Sequence, residues 1–415
     1  MSTKVRLVLH IGLSAFIIYF CMYAFRKPFT AATFEGLQLL GISFKVVLVI
    51  AQVIGYTLSK FIGIKFISGT GFKNRATYII GFILFAELAL LGFAIVPQQY
   101  KSIFLVLNGM PLGMIWGLVF SYLEGRTITE VLAAILSASY IIASGMTKSV
   151  GKLLMTNYNI SEFWMPFYTG ALFIIPLFIA VWSIEKIPPP TKEDIKNRNK
   201  RVVMTDNDRK KMFSQLAPGL IALIILLFLM TGFRDLRDNF VAELWKKLGH
   251  GNSAALFTQT EVWITIFILF ILGLFIFIKD NLKALSTMQI LMFLGLLLQL
   301  IITFLYQVTQ NISPFWWMTL SGLGLFMTYV PLGSMVFERI SSLFKFKSNA
   351  GFLIYVADAI SYSGTVLILL VKELFYPKTS IYEYFTQMIY ICSILGIGCL
   401  LFSFFYFKKR FYALK

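Results

Sequence analysis

Long unbroken apolar runs constrain this chain more than any other feature. They fall at residues 6–28, 44–66, 76–97, 102–123, 128–152, 162–184, 216–234, 254–278, 284–308, 314–337, 348–374 and 383–407, twelve in all. About 20 apolar residues in a helix cross the ~30 Å hydrocarbon core of a bilayer, so each run predicts a spanning helix. Unbroken runs exclude a transmembrane β-barrel, whose strands alternate polar and apolar residues. With 58% hydrophobic residues, 13% charged residues and 42 Phe, the chain has too little polar surface for a water-soluble fold. The expected class is an all-α polytopic membrane protein, with the lipid bilayer as its partner.

One connection is both long and polar: "EKIPPPTKEDIKNRNKRVVMTDNDRKKMFSQL", between predicted helices 6 and 7, with nine Lys/Arg. Pro188, Pro189 and Pro190 stop helix 6, because proline lacks the amide donor and its ring blocks helical continuation. The expected organisation is an N-terminal six-helix bundle over 1–184, a basic cytoplasmic linker over 185–215 and a C-terminal six-helix bundle over 216–415. With the N-terminus inside, about 25 of the 37 Lys/Arg lie on the cytoplasmic side. The positive-inside rule then predicts a multi-pass protein of the inner (cytoplasmic) membrane with both termini in the cytoplasm. The net charge of +18 is mostly topology on this reading, and nucleic acid is not expected as a partner. The first apolar run has no small-residue cleavage site and reads as helix 1 itself. Cys21, Cys392 and Cys399 lie in apolar runs without metal-ligand spacing and read as core filling. Neither a metal nor a cofactor is expected.

The two halves resemble each other. "NGMPLGMIWGLVFSYLEGR" (Asn108–Arg126) aligns without gaps with "SGLGLFMTYVPLGSMVFER" (Ser321–Arg339), matching Gly109 to Gly322, Ser121 to Ser334 and Arg126 to Arg339. At a similar offset, "AFRKPFTAATFE" (Ala24–Glu35) matches "GFRDLRDNFVAE" (Gly232–Glu243). These pairs are helices 4 and 10, and helices 1 and 7. Duplication with two parallel six-helix repeats and a basic loop between them predicts the major facilitator architecture, with substrate held near mid-membrane between the halves.

Arg26 aligns with Arg234 under this repeat. Two guanidinium groups facing each other across a central cavity would clamp a phosphate or carboxylate, each with the fork geometry that lysine lacks. The rival reading is interfacial snorkelling, since Arg26 lies roughly 30 Å along helix 1 from Arg6 at ~1.5 Å per residue. The small apolar "TAATF" after Lys27 favours a helix 1 that runs on to about Phe34, which keeps Arg26 in the cavity. Arg234 and Asp238 share a helix face, so a local ion pair is one expectation, and Arg237 reads as part of a solvated helix end. Lys60, closing "GYTLSK", projects into the cavity or marks the membrane boundary. Glu261 is either a buried acid of helix 8 or the N3 residue of a capping box with Thr258. Glu87, Asp358, Lys148 and Lys152 read as structural partners in inter-helix pairs, and Trp116 and Tyr329 occupy equivalent repeat positions.

"Tyr23-Ala-Phe-Arg26-Lys27" resembles the Tyr-x-x-Arg-Lys motif in helix 1 of the organophosphate–phosphate antiporters of the major facilitator superfamily. "Gly55-Tyr56-Thr-Leu-Ser59-Lys60-Phe61" is similar to the helix 2 pattern of that branch. "Phe233-Arg234", with Asp238 and then Glu261, is similar to its second phosphate-binding arginine and an acid in helix 8. The chain departs from the pattern at Pro28, where the branch has asparagine. It also lacks the acidic residue of the loop between helices 2 and 3, and the branch's helix 5 histidine. The chain as a whole also resembles an uncharacterised bacterial family of facilitator-type membrane proteins, from which no substrate follows.

The resemblance implies a monomeric secondary carrier, working by alternating access, for a small organic anion. The expected cargo is a phosphorylated solute exchanged for phosphate. Arg26 and Arg234 hold the anionic group, Lys27 and Lys60 add positive field, Tyr23 and Tyr56 donate hydrogen bonds, and Glu261 balances an arginine in the empty site. One alternative is a proton-coupled carrier of another solute, with Glu87, Glu261 or Asp358 titrating. A second is a non-transporting anion sensor. No nucleophile–base constellation suggests an enzyme.

Overall fold

Each apolar run folds into a helix in a computed structural model that describes residues 3–69, 74–123, 129–188, 206–275, 277–278, 280–344 and 350–413. Helices 1 to 6 are Thr3–Ala24, Phe44–Gly69, Arg75–Ile95, Lys101–Leu123, Thr129–Tyr158 and Met165–Glu185. Helices 7 to 9 are Asp206–Asn239, Ala255–Phe275 and Asn281–Thr309, with a short helix Val241–Lys247 after helix 7. Helices 10 to 12 are Pro314–Leu343, Ala350–Phe375 and Ile381–Ala413. Ten of these are long and apolar enough to cross a membrane among the described residues. Residues 189–205 of the basic linker and Arg126 lie outside the described residues.

Helices bury one another on one side and leave wide apolar stripes on the other. On helix 6, Leu172, Ile175, Ile179 and Trp182 are all exposed, at the spacing of a single helix face. Stripes of this kind are stable only against hydrocarbon, which is the solvent that the composition calls for.

By packing, the chain divides into two compact units. One is Met1–Arg198 with Asp238–Thr265; the other is Asn199–Arg237 with Ile266–Lys415. Within the first, helices 2 and 4 cross at backbone distance. A Cβ on Gly55 would lie 2.1 Å from the Val106 carbonyl oxygen, and one on Gly109 would lie 2.4 Å from that of Gln52. Small residues permit this approach, as in many membrane helix pairs. In the second unit, Gly295 of helix 9 and Gly324 of helix 10 meet in the same manner.

Helix 1 ends earlier than the sequence suggests. It stops at Ala24, and Pro28–Ala31 form a 3₁₀ turn, so the expected continuation to Phe34 is not made. Pro28 has no amide to donate to the Ala24 carbonyl, so the helical hydrogen-bond ladder cannot pass through it, although Lys27 keeps right-handed helical angles (φ −100°, ψ −22°). The chain then makes a hairpin pairing Gln38 with Ser43 and Leu39 with Ile42. Its two central residues, Leu40 and Gly41, both have positive φ (54° and 77°), as a twist-matched two-residue turn requires. Helix 10 is interrupted by a π-helical turn over Leu332–Val336, directly after Pro331. The missing proline donor lets the backbone register slip there.

Candidate solute-binding site

The early end of helix 1 leaves buried backbone carbonyls without helical donors, a debt that side chains must settle. Gln52 Nε2 donates to the Arg26 carbonyl at 2.9 Å and to Asn108 Oδ1 at 2.9 Å. Asn108 Nδ2 donates to the Phe25 carbonyl at 3.0 Å and to that of Ala86 at 3.1 Å. Helices 1, 2, 3 and 4 are thus tied at one point, directly behind Arg26. Gln52 and Asn108 carry a signal in the sequence too, since each is a carboxamide inside an apolar run, where polar groups are costly unless paired.

In front of this tie lie four of the residues singled out by the sequence. Arg26 is 4% exposed, and its guanidinium carbon lies 3.8 Å from the Tyr56 ring centroid and 5.9 Å from that of Tyr23. Lys60 Nζ lies 5.3 Å from the same Tyr56 ring. A desolvated cation over an aromatic face gains about 2 kcal/mol, which fixes the direction of the Arg26 side chain. Two cations converging on one ring also repel, and an anion between them would relieve that repulsion.

Lys27 points elsewhere. Its ammonium pairs with Asp238 at 2.5 Å and donates to Asn239 Oδ1 at 2.8 Å. Lys148 of helix 5 pairs with the same Asp238 at 2.5 Å and donates to its carbonyl at 2.8 Å, and Ser144 donates to its carboxylate. Beside them, Lys45 pairs with Glu243 of the short helix at 2.7 Å. Burial pushes the Glu243 carboxyl above its ordinary range, and the Lys45 charge works against that shift.

In the second unit, Arg234 donates to the neighbouring Asp235 through Nε at 3.1 Å and Nη2 at 2.6 Å. It also donates to the Tyr329 hydroxyl, with its guanidinium 4.4 Å from that ring's centroid. Asp235 in turn accepts from Thr365 at 2.7 Å. The expected Arg234–Asp238 pair is therefore replaced: Asp238 goes to two lysines, and Arg234 takes the acid next to it. Arg237, expected at a solvated end, is buried and donates to the Met318 carbonyl. Tyr329 meets an arginine, whereas Trp116, its repeat equivalent, stacks on Phe120.

Glu261 is 7% exposed and lies in the second turn of a helix that begins at Ala255, so the capping-box reading fails. Thr258 instead bonds Ser149 of helix 5 at 2.6 Å. A Cβ on Gly145 would lie 2.8 Å from Glu261 Cγ, so the acid packs tightly against helix 5. Glu87, expected in an inter-helix pair, has no hydrogen-bond partner for either carboxyl oxygen among the described residues. Lys148, by contrast, does pair across helices, as expected. The described residues contain no cluster of metal-ligating side chains.

The architecture is similar to that of a D-xylose–proton symporter, with a TM-score of 0.64 and 13% identity, covering 97% of each chain. It is likewise similar to a mutant of the nucleoside transporter NupG, with a TM-score of 0.63 and 14% identity over 97% of this chain and 99% of that one. A bacterial homologue of the human lysosomal transporter Spinster, in an inward-facing and unoccupied conformation, gives 0.64 and 12% over 100% and 99%. At these identities the likeness establishes the fold: an all-α polytopic membrane protein of the major facilitator type. No curated protein matches the sequence. A family model described as "Family of unknown function (DUF5690)" matches residues 28–410, and the chain belongs to that family.

Proposed function

We propose that the protein is a secondary carrier, working by alternating access, for a small organic anion, with a phosphorylated solute exchanged for phosphate as the specific reading. The observation that carries this is the group of buried Tyr23, Arg26 and Tyr56 with half-buried Lys60, in which two cations converge on one aromatic ring. Arg26 supplies a planar fork of donors for an oxyanion, held in direction by Tyr56 and from behind by Gln52. Lys60 supplies a second positive charge without directional demand. Arg234, the repeat equivalent of Arg26, is the second arginine assigned to the anion by the sequence repeat. Its bond to Asp235 supplies the counter-charge in the empty carrier that the sequence reading gave to Glu261.

The carriers to which the fold is similar include a D-xylose–proton symporter and a nucleoside transporter, so this scaffold serves solutes of several classes. The choice of an anion rests on the cations of this chain. The test is exchange of labelled inorganic phosphate in phosphate-loaded proteoliposomes, with sugar phosphates and glycerol phosphates as competitors. Exchange by the native protein and its loss in Arg26→Ala and in Arg234→Ala are expected. Native-level exchange in either variant would remove that arginine from the site.

A further inference from the structure

One buried charge-bearing group plays no part in the site described above. Glu87, in the middle of helix 3, is 6% exposed, and neither of its carboxyl oxygens meets a hydrogen-bond partner among the described residues. Helix 6 makes room for it with a glycine: a Cβ on Gly170 would lie 2.2 Å from Glu87 Oε2 and 3.0 Å from the Phe25 ring. The carboxyl thus occupies a notch floored by glycine and walled by an aromatic ring. An ionised carboxylate there would have lost its water and gained no donor, whereas a protonated one avoids most of that cost.

The charged groups on the surrounding elements are directed elsewhere. On helix 4, Lys101 donates to the carbonyls of Phe93 and Ala94, about 9 Å along helix 3 from Glu87. On helix 3 itself, Arg75 donates to the Ser121 carbonyl. At the two ends of helix 6, Glu162 accepts from the Thr33 and Phe34 amides and Glu185 from the Tyr122 hydroxyl. After helix 1, the Arg26 guanidinium lies over Tyr56.

The notch is nevertheless joined to the Arg26 site. Asn108 donates both to the carbonyl of Ala86, the residue before Glu87, and to that of Phe25, the residue before Arg26. Gln52 connects Asn108 to the Arg26 carbonyl. A change in volume or charge at Glu87 would push on Phe25 and Gly170 and bear on the backbone that carries Arg26.

We propose that Glu87 is a proton-carrying site, and that the protein moves its anion together with one proton taken up by this carboxyl. The proton passes from water to a carboxylate oxygen on one side of the membrane and returns to water on the other; no other bond changes. The proton offsets one negative charge of the cargo. The coupling half of this inference rests on the anion-carrier reading; the proton site itself does not.

The test uses the full chain in phosphatidylethanolamine–phosphatidylglycerol vesicles and reads infrared absorption first. The native protein at neutral pH should show the C=O stretch of a protonated carboxylic acid that is absent from Glu87→Gln. Superimposable native and Glu87→Gln spectra would overturn the proposal. Glutamine is a neutral isostere, and the fold already houses Gln299, fully buried against Gly324 in helix 9, without a hydrogen-bond partner among the described residues. Should Glu87→Gln not fold, Glu87→Asp serves: the band should remain, with a moved titration midpoint, and an unmoved midpoint would overturn the assignment.

The second reading is labelled inorganic phosphate exchange against pH. Relative to Glu87→Gln, in which phosphate ionises identically, native exchange should fall about tenfold per pH unit above the infrared midpoint. The same pH dependence in both proteins would overturn the coupling. If the infrared band is present but neither protein exchanges phosphate, the anion reading fails and the proton site stands. If both exchange phosphate without the band, the reverse holds.

Discussion

At the scale of single residues, Tyr56 organises the proposed site. It presents one ring to Arg26 at 3.8 Å and to Lys60 at 5.3 Å. Tyr56→Phe keeps that ring and loses only the hydroxyl expected to donate to the anion, whereas Tyr56→Leu also removes about 2 kcal/mol of direction from Arg26. The expected loss in apparent phosphate affinity for Tyr56→Leu is about 30-fold. Equal affinities in the two variants would show that the ring does not position the arginine. The motif around Arg26 was legible because charged and aromatic residues stand out in apolar sequence. Gln52 and Asn108 were not singled out, because their role depends on where helix 1 ends, and that end lies three residues before Lys27. Asn108→Leu should strip the Phe25 and Ala86 carbonyls of their donor. The expected destabilisation is about 1–3 kcal/mol, read as a lowered melting temperature in detergent, and an unchanged temperature would deny the tie its structural role.

At the scale of elements, two features decide how the site is held. The first is the crossing of helices 2 and 4 over Gly55 and Gly109, which brings Gln52 and Tyr56 to their places. Gly109→Ala puts a methyl group against the Gln52 carbonyl, and an overpacking cost of about 1–3 kcal/mol is expected, with a parallel loss of exchange. A variant as stable and active as the native protein would show that the crossing is not tight. The second is the group of Lys27, Lys148 and Asp238, which ties the end of helix 7 to helix 5 and to the turn after helix 1. Removing the acid leaves two lysines without their shared counter-charge. Asp238→Asn should therefore cost about 3–5 kcal/mol, and restoring the native net charge of the group with Lys148→Met in the same chain should recover part of it. Additive losses would refute the shared ion pair. The sequence placed Asp238 with Arg234 because helical spacing puts them on one face. Spacing within a helix carries no information about which cations neighbouring elements supply, and here two lysines from elsewhere in the chain outcompeted the local arginine.

At the scale of the whole molecule, the places of the long helices along the chain followed from hydrophobic runs alone, since a bilayer admits few alternatives. Two departures lie at prolines, where Pro28 ends helix 1 early and Pro331 precedes the π turn of helix 10, whereas helix 7 runs over Asp206–Asn239, beyond its apolar run at both ends. The unequal distribution of Lys/Arg predicts both termini in the cytoplasm. A C-terminal alkaline phosphatase fusion should be inactive and a C-terminal fluorescent protein bright; the opposite pair of results would invert the topology. The central claim is that Arg26 holds the anionic part of the cargo. Its most direct test is labelled phosphate exchange by purified native protein and by Arg26→Lys in proteoliposomes. Lysine keeps the charge but not the fork, so the account predicts exchange in the native protein and a loss of at least about tenfold in the variant. Equal exchange by the two proteins would contradict it.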